Sequence, residues 1–328
     1  MAQSLMQKQQ WVEQAFPNAP VFPIFLSTPR WAYRRKSTLH ARYRERWRFG
    51  LVKKNGREEE FIAIPDCPLH TDFLNAAYAQ LANLPAELPL VYVSITGAAL
   101  TLVLKEKRSE KTLGILLETK NRMTAIGIKS LWVNWNPSAG RRVYSSAHME
   151  LVYGEEWLMD QEIWHGPTGF RQQIPELEER AHRMASDYIG ADFVVDLYSG
   201  LGLTLRNWKE GMGVELSGES VAAAQKNAPT KSCLRGKVEH RLPQLCELLK
   251  NKEFSVYTNP PRSGHAPEIN QWLLESRPKK IVYLSCNVKS QARDLMAISE
   301  LYLIERVQPL DFFPQTDHVE SLALLRLR

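Results

Sequence analysis

The chain is poor in cysteine. Its 328 residues hold four (Cys67, Cys233, Cys246 and Cys286), none in a C-x-x-C pair. That excludes a disulfide framework and the usual zinc-ligand spacings. No apolar run approaches the roughly 18 residues needed to span a bilayer. The opening MAQSLMQKQQ lacks the hydrophobic stretch of a secretory signal. A cytoplasmic protein without membrane attachment is therefore expected. Internal repeats and low-complexity segments are also missing.

What is present is an ordinary globular composition, 44% hydrophobic and 24% charged, in a chain long enough for two cores. The formal charge of +6 is unevenly placed: between Arg30 and Lys54, ten Lys or Arg face one acid, Glu45, a local net of +9. Trp31, Tyr33, Tyr43, Trp47 and Phe49 are interleaved with those cations. Cations bind phosphates by releasing counterions, and aromatic planes stack on unpaired bases, so RNA is a candidate partner. The competing reading is a solvated strand face.

Up to about residue 165 the pattern is mainly β. VYVSITG, ALTLVLKE, LGILLET, SLWVNWN and RVYSSAHMELVYG read as strands, and DFLNAAYAQLANL is the one clear helix. An antiparallel sheet with a helix is expected. After Gln172 strands and helices alternate. Pro175 opens a helix that Gly190 stops, then FVVDLY, GMGVEL, FSVYT and KIVYLS are strands with helices between them. YLIERVQPLDFF and SLALLRL follow each other without a helix, so they should form an antiparallel hairpin. The expectation is a mainly antiparallel β (α+β) domain over 1–165, then a Rossmann-like α/β domain of methyltransferase type over 166–328.

DLYSGLG follows the first strand of the alternating half. Gly200 and Gly202 permit a tight turn against a ligand, and Glu215, 19 residues after Asp196, can accept both hydroxyls of a ribose. The loop lacks the full G-x-G-x-x-G pattern and a P-loop lysine, which argues against dinucleotides and triphosphates. Adenosine without phosphates fits, as in S-adenosylmethionine. Three further segments lie at strand ends: NPPRSG (259–264), SCN (285–287) and FPQTDHVE (313–320). A thiolate that adds to C6 of uracil makes C5 nucleophilic, and a base must later remove the C5 proton. Cys286 can be that nucleophile, and either Glu320 or His318 the acceptor.

These segments resemble the RNA uracil-5-methyltransferases. DLYSGLG, GVE, NPPRSG, IVYLSCNVKSQARDL and LDFFPQTDHVESLALL are similar, in order, to that family's motifs over most of the catalytic half. The resemblance implies Cys286 as nucleophile and Glu320 as proton acceptor. It also implies a cofactor shell of Gln172 (in GFRQQ), Tyr198, Gly200, Glu215 and Asn259. WAYRRK resembles a substrate-facing segment, which makes Arg34, Arg35 and Lys36 RNA-binding candidates. Arg262 either binds RNA phosphate or holds its own loop. NPPR and IERVQ are most similar to the branch acting on 23S ribosomal RNA, so rRNA is favoured over tRNA. Ser199 and Val288 depart from the motifs. Of the four cysteines that hold an iron–sulfur cluster in many relatives, only Cys67 has a counterpart, so no cluster is expected. The rival readings are an amino-group methyltransferase, which needs no cysteine, and a non-catalytic RNA-binding relative. Oligomeric state is left open.

Overall fold

The computed structural model describes residues 2–56, 58–139, 143–144 and 149–328. The chain divides into two compact units, Trp31–Thr168 and a second made of Met1–Arg30 with Gly169–Arg328. The boundary expected at 165 therefore lies three residues later. The first thirty residues, expected in the N-terminal domain, belong instead with the C-terminal half.

The reason is packing. Helix α1 (Ala2–Ala15) buries Val12 and, just past its end, Phe16 in the C-terminal core. Lys8 is 1% exposed, and its ammonium donates to Asp311 Oδ1 at 2.7 Å and to the Phe313 carbonyl at 2.9 Å. Arg30 reaches Asp311 Oδ2 at 2.9 Å. Polar sequence at the start of a chain carries no helical stripe that would announce any of this.

The central unit is built on strands β1 (Lys36–Arg44), β2 (Arg46–Asn55), β3 (Glu58–Ala63), β4 (Leu90–Thr96), β5 (Ala99–Leu104), β6 (Ser130–Trp135) and β7 (Met149–Gly154), ordered β3-β2-β1-β4-β5-β6-β7. A small separate pair, β8 (Leu158–Asp160) and β9 (Ile163–His165), follows. Helices α2 (Asp72–Leu81), α3 (Glu110–Glu118) and α4 (Lys120–Ala125) lie in the connections. The sheet is not wholly antiparallel: β5 and β6 run parallel, and α3–α4 make the crossover that parallel strands require. LGILLET, read as a strand, is in fact α3. Ser109 caps it by accepting from the Thr112 N–H, and Leu113 and Leu116, three apart, share the buried face. A short apolar run fits helix and strand alike. Of the RVYSSAHMELVYG stretch, 149–154 is strand, whereas Arg142 and 145–148 lie outside the described residues.

The second unit continues with α5 (Pro175–Ile189), β10 (Phe193–Leu197), β11 (Glu210–Glu215), α6 (Gly218–Asn227), β12 (Ser232–Arg235), α7 (Val238–Leu248), β13 (Phe254–Thr258), α8 (Pro267–Ser276), β14 (Lys280–Ser285), α9 (Val288–Ala297), β15 (Tyr302–Leu310) and β16 (Glu320–Leu327). The sheet order is β12-β11-β10-β13-β14-β16-β15, parallel through β14, with the last strand inserted antiparallel between β14 and β15. Residues 20–25 run along β15, with Phe22 and Phe25 N–H groups donating to the Val307 and Pro309 carbonyls at 2.9 Å. They cover an edge that would otherwise be open to another strand. Trp208 and Trp272 are buried. Each fully buried Leu or Val of this core contributes roughly 1.5–3 kcal/mol.

Candidate functional site

Parallel α/β sheets bind ligands outside the carboxyl ends of their strands. There the second unit has a cavity of about 450 Å³, lined by Gln172, Tyr198, Gly200, Glu215, Asn259, Arg262, Cys286 and Glu320 among others. The motif residues of the C-terminal half, scattered over 149 positions of sequence, thus share one wall.

The turn after β10 is sharp. Tyr198 sits at φ +62° and Gly202 at +75°, and a Cβ on Gly202 would stand 2.9 Å from that of Ala224 on α6. The Gly200 N–H donates to Glu215 Oε2 at 3.0 Å and the Ser217 N–H to Oε1 at 2.6 Å, so the carboxylate at the end of β11 is fixed by two main-chain donors. Each oxygen keeps a lone pair for a ligand hydroxyl. Asp196 lies beneath, fully buried; burial raises its carboxyl to about 7, and the Thr204 hydroxyl donates to it.

Cys286 follows β14 directly. Its thiol is half-buried, and burial, then the Glu320 carboxylate, push its pKa up, while the Arg262 guanidinium opposes them. Glu320 opens β16 and is 2% exposed. It accepts from Gln172 Nε2 at 2.8 Å, and burial lifts its carboxyl from 4.5 to about 8. Gln172 in turn donates its main-chain N–H to Glu178 Oε1 at 3.2 Å, and Arg171 approaches Glu178 Oε2 at 3.6 Å. Glu178 is buried at the cavity wall, a role its place in the first turn of α5 disguised as helix-dipole complementation. The raised Glu320 has a consequence for stability. Burial favours its neutral form, so its stabilising contribution is complete below about pH 4.5 and declines as pH rises through about 8. Thermal melts between pH 5 and 8 should show the advantage of Glu320→Gln over wild type growing with pH; parallel curves would exclude this.

His318 and Glu320 line different cavities, both of which include Cys286. His318 is exposed, and its ring meets Phe313 edge-on at 5.9 Å. The NPPRSG loop is held by main chain: the Arg262 carbonyl accepts from Asn287 Nδ2 at 2.9 Å and Ser290 Oγ at 3.1 Å. The Arg262 side chain is left exposed beside the thiol. Asp294, 1% exposed, accepts from the His265 N–H and the Tyr283 hydroxyl, each at 2.7 Å, and packs where a Cβ on Gly264 (φ +79°) would fall. His265 lies between Thr258 Oγ1 and Asn270 Oδ1, both at 2.9 Å, with Tyr198 and Tyr283 stacked on its faces at 6.4 and 4.7 Å. Burial lowers its pKa, so it is a neutral spacer under Tyr198. His182, on α5, also lines the cavity, with its pKa lowered to about 4 by burial and Arg171. Neither histidine carries a sequence signal. Among the described residues, no group of three or more His, Cys, Asp or Glu is placed to hold a metal.

In the central unit the basic segment divides. Tyr33, Trp47 and Phe49 are buried, whereas Trp31 and Tyr43 are 49% and 47% exposed. Arg35 pairs with Asp160 at 3.2 Å, Lys36 donates to the Thr168 carbonyl at 2.9 Å, and Arg34 is half-buried. On the β1–β2 hairpin, Arg42 lies opposite Arg48 and Arg44 opposite Arg46, all four exposed. The intervening Ala41, Trp47 and Phe49 face the core.

A 3-2-1-4-5 parallel sheet ending in an antiparallel hairpin, with its glycine turn and acidic strand end on one cavity, defines the Rossmann-like methyltransferase class. The model of the family described as tRNA (Uracil-5-)-methyltransferase matches residues 234–328. Over 369 residues the chain is 28% identical to an uncharacterized RNA methyltransferase of Bacillus anthracis, covering 99% of this chain and 79% of the relative. An uncharacterized RNA methyltransferase of Staphylococcus aureus is 27% identical over 364 residues, covering 100% and 80%. The crystal structure of Pyrococcus abyssi tRNA (uracil-54, C5)-methyltransferase in complex with S-adenosyl-L-homocysteine superposes with a TM-score of 0.75 at 20% identity, covering 99% of this chain and 83% of that one. The chain is thus similar along its whole length to RNA methyltransferases, and its residues 234–328 match the uracil-5 family model.

Proposed function

We propose that this protein methylates C5 of a uridine in RNA, using S-adenosylmethionine, through a covalent adduct at Cys286. The observation that carries the reading is the shared cavity. Cys286 and a buried Glu320 line the same wall as a glycine turn and a ribose-type acid.

The residues present fit that cofactor. Three carboxyl groups, Glu178, Glu215 and Glu320, line the cavity against one guanidinium, Arg262, which suits a ligand without phosphate groups. Gln172 Oε1 is buried there without a partner, an acceptor for a ligand donor. Tyr198, Gly200, Glu215, Asn259 and Gln172 would hold it. Bound S-adenosylmethionine supplies a sulfonium-activated methyl group.

The Cys286 thiolate adds to uracil C6, and the C5–C6 π electrons pass to C5 and the O4 carbonyl. With S-adenosylmethionine bound, C5 would take the methyl group as the sulfonium carbon–sulfur bond breaks and its electron pair stays on sulfur. Glu320 takes the proton from C5, the electron pair restores the double bond, and the Cys286–C6 bond breaks to release thiolate. A carboxylate with a pKa of about 8 is well matched to that transfer near neutral pH. Arg262 beside the sulfur favours the thiolate that both addition and release require.

The RNA contacts we assign to Arg262, to Arg34, Arg35 and Lys36, and above all to the β1–β2 arginines. Like charges directly opposite on a hairpin weaken it, so a row of them calls for a polyanion. Arg42→Gln with Arg48→Gln should flatten the salt dependence of RNA binding by about two phosphate equivalents and leave the melting temperature unchanged or higher. A lower melting temperature with unaltered salt slope would make these residues structural.

The NPPR and IERVQ motifs favour 23S ribosomal RNA as substrate. The family description and the Pyrococcus abyssi enzyme support the second reading, a transfer RNA. Incubating the protein with S-adenosylmethionine and RNA from a deletion strain, then mapping 5-methyluridine by mass spectrometry, decides between them. Methyl groups on exocyclic nitrogens, or none at all, would overturn the proposal.

A further inference from the structure

Cys286 and Arg262 belong to a second cavity as well, of about 680 Å³, whose wall also includes Trp11, Lys289, Asp317 and His318. Trp11 is the unexpected member, since it lies 275 positions before the cysteine, on a helix whose sequence belongs to none of the catalytic motifs. On α1, Lys8 and Val12 are turned inward and buried, as is Phe16 beyond the helix end. Trp11 lies one position from Val12 around the helix and is left 36% exposed, so much of its indole faces open space. Packing accounts for the inward residues and leaves that exposure without a reason.

The chemistry of the wall narrows what can bind. Exposed Arg262 and Lys289 stand against one acid, Asp317, which favours an anion, while an exposed indole favours a flat apolar ring. A nucleotide offers both. The volume lies within the range of small-ligand sites. The target ring must meet Cys286, and that residue is common to both cavities; the nucleotide joined to the target must therefore lie in space adjoining the sulfur. C6 of a uracil stacked in a helix is inaccessible, so the neighbourhood of the target is unpaired or opened.

We infer that the second cavity binds the unpaired nucleotide adjoining the target uridine, with its base stacked on Trp11 and its phosphate between Arg262 and Lys289. This rests on Cys286 being the nucleophile. Trp11 acts on substrate binding and register, and does not touch the reacting atoms.

The test is binding of a fluorescently labelled, single-stranded uridine hexamer to the full-length protein, followed by anisotropy. Trp11→Ala should weaken binding roughly 5- to 150-fold, the range that loss of one stacked base gives, and Trp11→Phe should recover most of it. Affinity for S-adenosylmethionine and the melting temperature should stay at wild-type values in both variants. In methyl transfer to RNA, the alanine variant should raise KM far more than it lowers kcat. Wild-type hexamer affinity in Trp11→Ala, or equal losses in the alanine and phenylalanine variants, would overturn the inference. So would a wild-type protein that does not bind the hexamer. A wild-type protein that binds it through Trp11 but transfers no methyl group would instead overturn the catalytic reading.

Discussion

Cys286→Ala should reduce methyl transfer to RNA by roughly 10⁴-fold or more, while the affinity for S-adenosylmethionine measured by calorimetry changes by less than about 3-fold. The split follows from position. The thiol lies at the end of β14, and the main-chain donors around Glu215, the Tyr198 turn and Gln172 do not depend on it. On the proposed route the sulfur is what makes C5 nucleophilic, so the loss should fall on kcat. Glu320→Gln should behave differently: addition and methylation proceed, release stalls, and a protein–RNA band resistant to denaturant accumulates. An alanine variant that retains turnover would select the amino-group rival. A glutamine variant that never forms the band would remove Glu320 as the base. Binding of RNA by wild type without any methyl transfer would leave a binding protein only.

The difference between what was legible and what was not is one of range. Each strand-end motif is local: a few consecutive residues carry a turn, a thiol or a carboxylate, and the parallel sheet gathers them. The alternating half, its terminal hairpin, the glycine turn, Glu215, Cys286 and Glu320 could therefore be picked out from order and spacing, whereas Gln172, Tyr198 and Asn259 were implied only by the family resemblance. Glu178 could not, because an acid in the first turn of a helix has a sufficient explanation in the dipole. Nor could the β1–β2 arginines be told from a solvated face, since only the pairing of Arg42 with Arg48 and Arg44 with Arg46 sets like charges opposite each other. LGILLET needed its Ser109 cap weighed above its β-branched and apolar content. Hardest of all was α1, whose partners are 303 residues away and whose sequence has neither cap nor periodic stripe.

That helix supports the second large effect. Lys8→Met should destabilise the catalytic unit by roughly 3–5 kcal/mol, the cost of leaving one member of a buried ion pair behind. Lys8 and Asp311 are 1% and 0% exposed at 2.7 Å, so water cannot replace the lost ammonium. Arg30 remains on the other carboxylate oxygen, at 2.9 Å, but Oδ1 and the Phe313 carbonyl both lose their donor. Melting temperature should fall by about 2–4 °C per kcal/mol for a unit of this size. Asp311 also begins the loop that leads to His318 and Glu320, so loosening it should slow methyl transfer beyond what the unfolded fraction explains. The decisive measurement is the double variant. If the penalty comes from an unpaired buried charge, Asp311→Asn added to Lys8→Met should restore part of the stability, because a neutral amide needs no counter-ion. A double variant less stable than wild type by the sum of the two single effects would mean that Lys8 acts through the packing of its aliphatic stem, and that the N-terminal helix is fastened to the loop before β16 by shape rather than by charge.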